Sequence, residues 1–162
     1  MQRIVQYLIF AIFFLLTNVE ISAQPFIPAT VDTTYLRAEW RSKNYSQSLA
    51  YHYLMQHYDK QAPKDSLVFL YPNDPEPCHF RQEFKRGITY QLMTCDEEGG
   101  GEEIIRFPKM ELARARSFIE SLFYDRWNAW LDDYHYHPDG AGCYYTIVQG
   151  DDFTEIQIWC GC

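Results

Sequence analysis

Apolar and polar side chains alternate along residues 80–92, which predicts a hairpin of two half-buried strands. The turn between the two runs ends in a glycine, and this position suits the left-handed conformation that such hairpins need. The resulting register places Phe84 opposite Ile88 and Phe80 opposite Leu92. An acidic, glycine-rich tip, residues 96–103, follows this hairpin and leads to a third predicted strand, residues 104–107.

A helical period replaces the alternation over residues 109–132. Apolar side chains recur there at steps of three and four, and Pro108 occupies a first turn in which a helix tolerates proline. We predict one long amphipathic helix over this segment. A shorter helix is predicted over residues 45–59, because capping residues precede it and Pro63 follows it.

Two other segments lack a clear period. Residues 66–71 form a short, continuous apolar run between turn-forming residues, which predicts a buried strand. Residues 24–43 contain Pro25 and Pro28 and are expected to form an extended lead-in.

The last two predicted strands, residues 143–149 and 153–160, form a second hairpin with its turn at two aspartates. In this register Cys143 lies across from Cys160 on the face that also carries the isoleucines. Opposing side chains on one face have Cβ atoms about 4.5–5.5 Å apart, which a disulfide can bridge. We predict the disulfide Cys143–Cys160; the alternative is a slipped register that pairs Cys143 with Cys162.

Cys78 and Cys95 are separated by the same number of residues as the first pair. However, the register of the first hairpin places them on opposite faces and one position out of line. A bulge, or a position of Cys78 before the strand begins, would reconcile the pair. We predict this second disulfide by elimination, which leaves Cys162 as a free thiol that could link two chains.

Together these elements predict an α+β fold in one domain, residues 44–162. An antiparallel sheet of five to six short strands would pack against the long helix and the shorter N-terminal helix.

The first 23 residues are typical of a secretory signal peptide. Arg3 precedes an apolar run, residues 7–16, that is too short to cross a bilayer core about 30 Å thick. Small residues lie just before Gln24, so we expect removal of residues 1–23 and a secreted or periplasmic product. No later stretch is apolar enough to span a membrane. The compartment would be oxidising enough to form the disulfides.

The formal net charge of the chain is -8 at pH 7. This acidic balance argues against nucleic acid and against anionic membrane surfaces as partners, since both attract clustered lysine and arginine.

The sequence contains no catalytic motif that we recognise and indicates no cofactor. A Gly-x-Ser-x-Gly nucleophile elbow is absent. The densest group of polar side chains includes Asp133, His135 and His137, which suit zinc or copper. A His-x-His pair beside a proline is more often a solvated turn, so an extracytoplasmic enzyme or metal protein using this loop is the alternative hypothesis.

The register of the second hairpin places Tyr144 opposite Trp159 on the face away from the isoleucines. Either a helix covers these rings or they bind a partner, because Tyr and Trp are favoured anchors at binding surfaces. Our leading interpretation is a small, disulfide-bonded, non-catalytic domain. It would bind a protein or a saccharide through an aromatic and acidic surface.

Overall fold

The computed structural model describes residues 24–43, 48–95 and 100–161 of the 162-residue chain. In these residues one antiparallel sheet of eight strands packs against three α-helices. The helices are α1 (Thr33–Lys43), α2 (Leu49–His57) and α3 (Leu112–Phe123). The strands are β1 (Asp65–Val68), β2 (His79–Phe84), β3 (Ile88–Met93), β4 (Gly100–Pro108), β5 (Asn128–Trp130), β6 (His135–Pro138), β7 (Gly142–Gln149) and β8 (Phe153–Gly161). Their order in the sheet is β1-β2-β3-β4-β8-β7-β6-β5, so the two long strands β4 and β8 join the halves of the chain.

The α+β class is supported, but the prediction of five to six strands with one long helix is wrong. Helix α3 ends at Phe123, after 12 residues, although apolar residues continue at helical spacing. Asp125 ends the helical path because its carboxylate accepts a hydrogen bond from the Trp127 amide in a tight turn, 3.0 Å. The chain then forms the β5–β6 hairpin, in which Trp130 pairs with Tyr136.

The N-terminal segment also differs from the prediction, because residues 33–43 form helix α1 and not an extended lead-in. The Asp32 carboxylate accepts a hydrogen bond from the Tyr35 amide, 3.1 Å, at the start of this helix. Before α1, Phe26 is buried and stacks on Phe107 with ring centroids 5.4 Å apart. The segment therefore belongs to the folded unit.

Helix α2 begins later than predicted. Its cap is Ser48, whose hydroxyl accepts a hydrogen bond from the Tyr51 amide at 2.9 Å. The first predicted hairpin is confirmed in its register, with Phe84 opposite Ile88 and Phe80 opposite Leu92.

The helices cover one side of the sheet, which we call the inner face. Every second residue of the central strands contributes to this core, and aromatic contacts such as Phe107–Phe118 and Phe123–Tyr145 join it to α3. The inner-face core of the strands consists of Phe80, Phe84, Ile88, Tyr90, Ile105, Phe107, Tyr136, Tyr145, Ile147, Ile156 and Ile158. The other side of the sheet is the outer face.

The apolar run at residues 66–71 is not a buried strand. Strand β1 contributes only Asp65–Val68, and it forms one edge of the sheet, where β2 is its neighbour. The prediction of burial is wrong because apolar character alone does not place a strand at the centre or at the edge of a sheet.

The described residues include no helix that is both long and apolar enough to cross a membrane. The predicted signal peptide, residues 1–23, and the predicted free thiol, Cys162, lie outside the described residues.

Candidate functional site

The described residues contain two disulfides, and one of them joins the strands on which the predicted partner-binding residues lie. Cys143 and Cys160 are cross-strand partners in β7 and β8 and are bonded, as the register predicted. Cys78 is bonded to Cys95. Cys78 lies directly before β2 begins, which is the arrangement that reconciles this bond with the register of the first hairpin.

Three rings form a row on the outer face, which we call the aromatic row: His137, Tyr144 and Trp159. The Tyr144 and Trp159 rings face each other across β7 and β8 with centroids 5.6 Å apart. The His137 ring, on β6, lies 5.0 Å from the Tyr144 ring. Successive rings are inclined by 45° and 49°, so the three rings do not lie in one plane. The Trp159 residue is 48% exposed, and the helices pack on the opposite side of the sheet.

The Trp159 indole rests on a surface without side chains. Gly161 pairs with Gly100 on one side and with Gly142 on the other, so three glycines lie side by side on β4, β8 and β7. A Cβ atom at Gly161 would overlap the indole ring. The glycines therefore allow one face of the ring to lie on the backbone while the other side meets solvent.

Polar groups surround the aromatic row. Glu102 pairs with Trp159 from β4, and Gln157 pairs with Thr146 in the adjacent row of side chains. Gln157 also donates a hydrogen bond to Glu155, 2.9 Å. Amide, hydroxyl and carboxylate groups thus lie beside the rings, where they can hydrogen-bond to a ligand placed across them.

Glu155 is buried on the outer face and is fully engaged. Arg106 donates to one of its oxygens from Nε at 3.0 Å and from Nη2 at 2.6 Å, while Gln157 donates to the other oxygen. Charge-assisted pairs of this kind hold both side chains in place. This pair stiffens the centre of the outer face beside the aromatic row.

The three residues of the alternative metal site do not converge. Asp133 forms an ion pair with Arg116 at 2.8 Å, whereas His135 contacts Asp132 at 2.8 Å. His137 joins the aromatic row instead. Across residues 24–43, 48–95 and 100–161, no three His, Cys, Asp or Glu side chains are grouped so that they could hold a metal ion.

Asp132 organises the turn between β5 and β6. Its carboxylate accepts hydrogen bonds from the Tyr134 amide at 2.7 Å and from the His135 amide at 2.9 Å. The Tyr134 amide first, and then the His135 side chain, hold the pKa of Asp132 below its ordinary value. The acidic residues of this loop therefore serve the turn that positions β6.

A polar cluster on the inner face was not predicted from the sequence. Tyr90 donates a hydrogen bond to Glu103 at 3.0 Å, and the Tyr90 and Ser48 hydroxyls are 2.9 Å apart. Desolvation raises the pKa of Glu103, against hydrogen bonds from Ser48 and Tyr90 that lower it. The alternation of Glu103 with Ile105 was the available signal, since it places the carboxylate on the core side of β4.

A cleft of about 370 Å³ was also missed, because it is lined by separate parts of the chain: α1, the end of α3 and β7. Arg37 and Trp127 line it. Arg37 is committed to structure, since its Nη2 donates to the carbonyls of Leu122 at 3.1 Å and Tyr124 at 2.9 Å. Because these interactions occupy Nη2 of Arg37, the guanidinium has fewer donors left for a ligand in the cleft.

The outer face combines an exposed ring supported from below, two further rings in register and adjacent amide and hydroxyl groups. This arrangement is suited to binding and contains no activated nucleophile among the side chains described above. Comparison with known protein families, with curated proteins and with solved structures finds no match to this chain.

Proposed function

We propose that the protein is an extracytoplasmic, disulfide-stabilised domain that binds a saccharide through the aromatic row. The observation that carries this proposal is Trp159, 48% exposed, with its indole lying against Gly161 of β8 and Gly100 of β4. Exposure alone does not distinguish this ring, because Trp127 is 67% exposed. Trp159 differs in the glycine surface beneath it and in the two further rings in register beside it, an arrangement suited to stacking on a ligand.

Sugars fit the chemistry of this surface. The C–H faces of a pyranose are apolar and stack on aromatic rings, while its hydroxyl groups need hydrogen-bond partners at the rim. The rings of Trp159 and Tyr144 would supply the stacking, and Gln157, Thr146 and Glu102 would supply the partners. Since the strands are about 4.8 Å apart, neighbouring rings could contact successive sugar units.

The proposed location follows from the two disulfides and the signal-like N-terminus. Both bonds join segments within one chain and are compatible with an oxidising space. Intact mass measurement of the exported protein should give a chain that begins near Gln24. A chain that retains residues 1–23 and carries free thiols would contradict this location.

The binding test compares variants against a panel of immobilised polysaccharides and soluble oligosaccharides. Trp159→Ala and Tyr144→Ala should each weaken the binding of the selected sugar by about tenfold, the amount expected for loss of one aromatic stack. The matched control is Trp127→Ala, because this tryptophan is 67% exposed and lines the cleft, whose lining residues include none of the three rings of the row.

Circular dichroism should show that all three variants remain folded, since the substituted side chains are largely outside the core. Equal sugar binding by the wild type and a folded Trp159→Ala/Tyr144→Ala protein would overturn the proposal. If a protein ligand binds instead and its binding depends on the same two rings, the aromatic row is a binding site but the saccharide assignment is wrong.

A further inference from the structure

The edge of the sheet opposite to β5 carries an apolar patch, which we call the edge patch: residues 67–71. Its five side chains, Leu67, Val68, Phe69, Leu70 and Tyr71, are 49%, 47%, 44%, 37% and 56% exposed. Together they expose on the order of 400 Å², within the range of the largest, often functional, patches on monomeric proteins. This surface is independent of the aromatic row.

Strand β1 is a sheet edge that is available for pairing. Among the described strands β1 pairs only with β2, so the other side of its backbone has no ladder partner. Proteins usually blunt such edges with charges or cover them, since an open apolar edge recruits other strands. The pairing of β1 with β2 is irregular between Asp65 and Val68, and Ser66 has a φ of 55°, so the regular edge is short and suits a short segment.

The edge patch is held in position by its attachment to the first disulfide. The Cys78 amide donates to the Val68 carbonyl at 2.9 Å, and Cys78 is bonded to Cys95. At the far end, the Tyr71 amide donates to the Asp74 carboxylate at 2.8 Å. A surface that is already ordered loses less entropy when it binds a partner.

The rim of the edge patch is acidic. Asp65, Asp74 and Glu76 flank it in the sequence, while Lys64 is the one basic residue between residues 64 and 77. Arg81, which lies across from Asp65 on β2, is paired with Glu83 at 2.9 Å. The Lys64 ammonium is turned inward, 3.9 Å from the centroid of the Phe80 ring and 3.7 Å from Glu76. Two copies of this rim would repel each other, and so would an anionic membrane.

The size of the patch also argues against a second copy. A standard interface buries about 800 Å² on each partner, roughly twice what this patch offers. We propose that the edge patch binds a protein partner, through an extended apolar segment flanked by basic residues that adds as a strand to β1. In this mode backbone hydrogen bonds give affinity, and apolar side chains and the charged rim give specificity.

The test uses three short synthetic peptides with one alternating valine–threonine core. The first has lysines at both ends, the second has glutamates, and the third is the lysine peptide with every amide of its core N-methylated, so that neither edge can donate. Fluorescence anisotropy should show saturable binding of the first peptide alone, weakened by added salt. N-methylation should abolish binding because it removes the donors that pair with β1.

Matched variants locate the binding. Leu67→Ser/Phe69→Ser should weaken binding of the lysine peptide by at least about tenfold, because two large apolar contacts are lost. Leu131→Ser is the control, since this side chain is 66% exposed near the opposite edge. All of these side chains are exposed, so the variants should fold, and their sugar binding should be unchanged.

Three results would overturn the inference. The lysine peptide fails to bind, or binds no better than the glutamate peptide. Alternatively, sedimentation shows a dimer that the Leu67→Ser/Phe69→Ser change dissociates, which assigns the patch to a second copy. Binding to phosphatidylcholine vesicles that the same change removes would assign the patch to a lipid surface.

Discussion

At the scale of single residues, Glu103 should make stability depend on pH. Its pKa is raised in the folded protein because the side chain is desolvated, and the unfolded value is about 4.3. Between these two values the folded state binds more protons than the unfolded state, so the free energy of unfolding falls as pH rises. Glu103→Gln should remove this pH-dependent fall in the free energy of unfolding. The variant should therefore become more stable relative to the wild type as pH increases.

Urea unfolding at a series of pH values measures this difference. Below the unfolded pKa both glutamate states are neutral, so the advantage of the variant should disappear there. An NMR titration of the Glu103 carboxyl gives an independent check. A midpoint at or below the ordinary value for glutamate would contradict the argument.

Gly161 should determine the position of the Trp159 ring in the aromatic row, because it leaves room for the indole. Alanine at this position would overlap the Trp159 ring, which must then move off the glycine surface. We expect Gly161→Ala to weaken sugar binding by about tenfold, comparable with the loss of the ring, while the protein stays folded. Gly140→Ala is a poor control because of its positive φ, so Gly100→Ala, whose Cβ stays 4.0 Å from the ring, serves instead. Equal sugar binding by the Gly161→Ala and wild-type proteins would show that the position of the Trp159 ring does not carry recognition.

At the scale of elements, Arg37 connects α1 to the end of α3. Its guanidinium donates to the carbonyls of Leu122 and Tyr124, which the helix leaves without internal partners. Arg37→Met removes these charge-assisted hydrogen bonds and should lower the free energy of unfolding by about 1.5–3 kcal/mol. Arg41→Met, exposed on the same helix, should change it by less than about 0.5 kcal/mol. Similar effects of the two substitutions in urea unfolding would mean that Arg37 does not secure the helix end.

The two predicted hairpins could be read from the sequence because each combines alternation with a turn that fixes the register. The same reasoning located the pairs Cys143–Cys160 and Tyr144–Trp159. Helix α1 could not be predicted in this way, because Leu36 is its one fully buried apolar residue and it leaves almost no periodic signal. Leu131 led to the opposite error, a helix predicted too long. It continues the helical spacing of α3, but it lies outside this helix and is exposed.

The functional surfaces depend on the order of the strands in the sheet, and local sequence patterns do not predict this order. His137 reaches the aromatic row because β6 pairs with β7, and Gly100 lies under Trp159 because β4 pairs with β8. Gly100 and Trp159 are far apart in the chain, and neither a period nor a turn specifies their pairing. His137 and Tyr144 are close in the chain, but the sequence pattern indicates a loop for the segment that holds His137, so strand β6 and its ring were not predicted.

At the scale of the whole molecule, the two disulfides should contribute equally to the free energy of unfolding. They should, however, hold different binding surfaces in position. Each closes a loop with a sequence separation of 17, so loss of either should cost roughly 3 kcal/mol in the chain-entropy account. Paired substitution to alanine and urea unfolding measure this cost. Cys143–Cys160 joins the strands that carry Tyr144 and Trp159, whereas Cys78 holds the Val68 carbonyl at the edge patch.

Removal of each disulfide on its own should therefore weaken only one of the two binding activities. Cys143→Ala/Cys160→Ala should weaken sugar binding and spare the lysine peptide, while Cys78→Ala/Cys95→Ala should do the reverse. The comparison is made well below the unfolding temperature of each variant, because a partly unfolded population would lower both activities together. If both variants lose both activities in the fully folded state, the surfaces are coupled through the sheet. Independence of the two sites would then be wrong, since a rigid sheet with local anchors predicts separate losses.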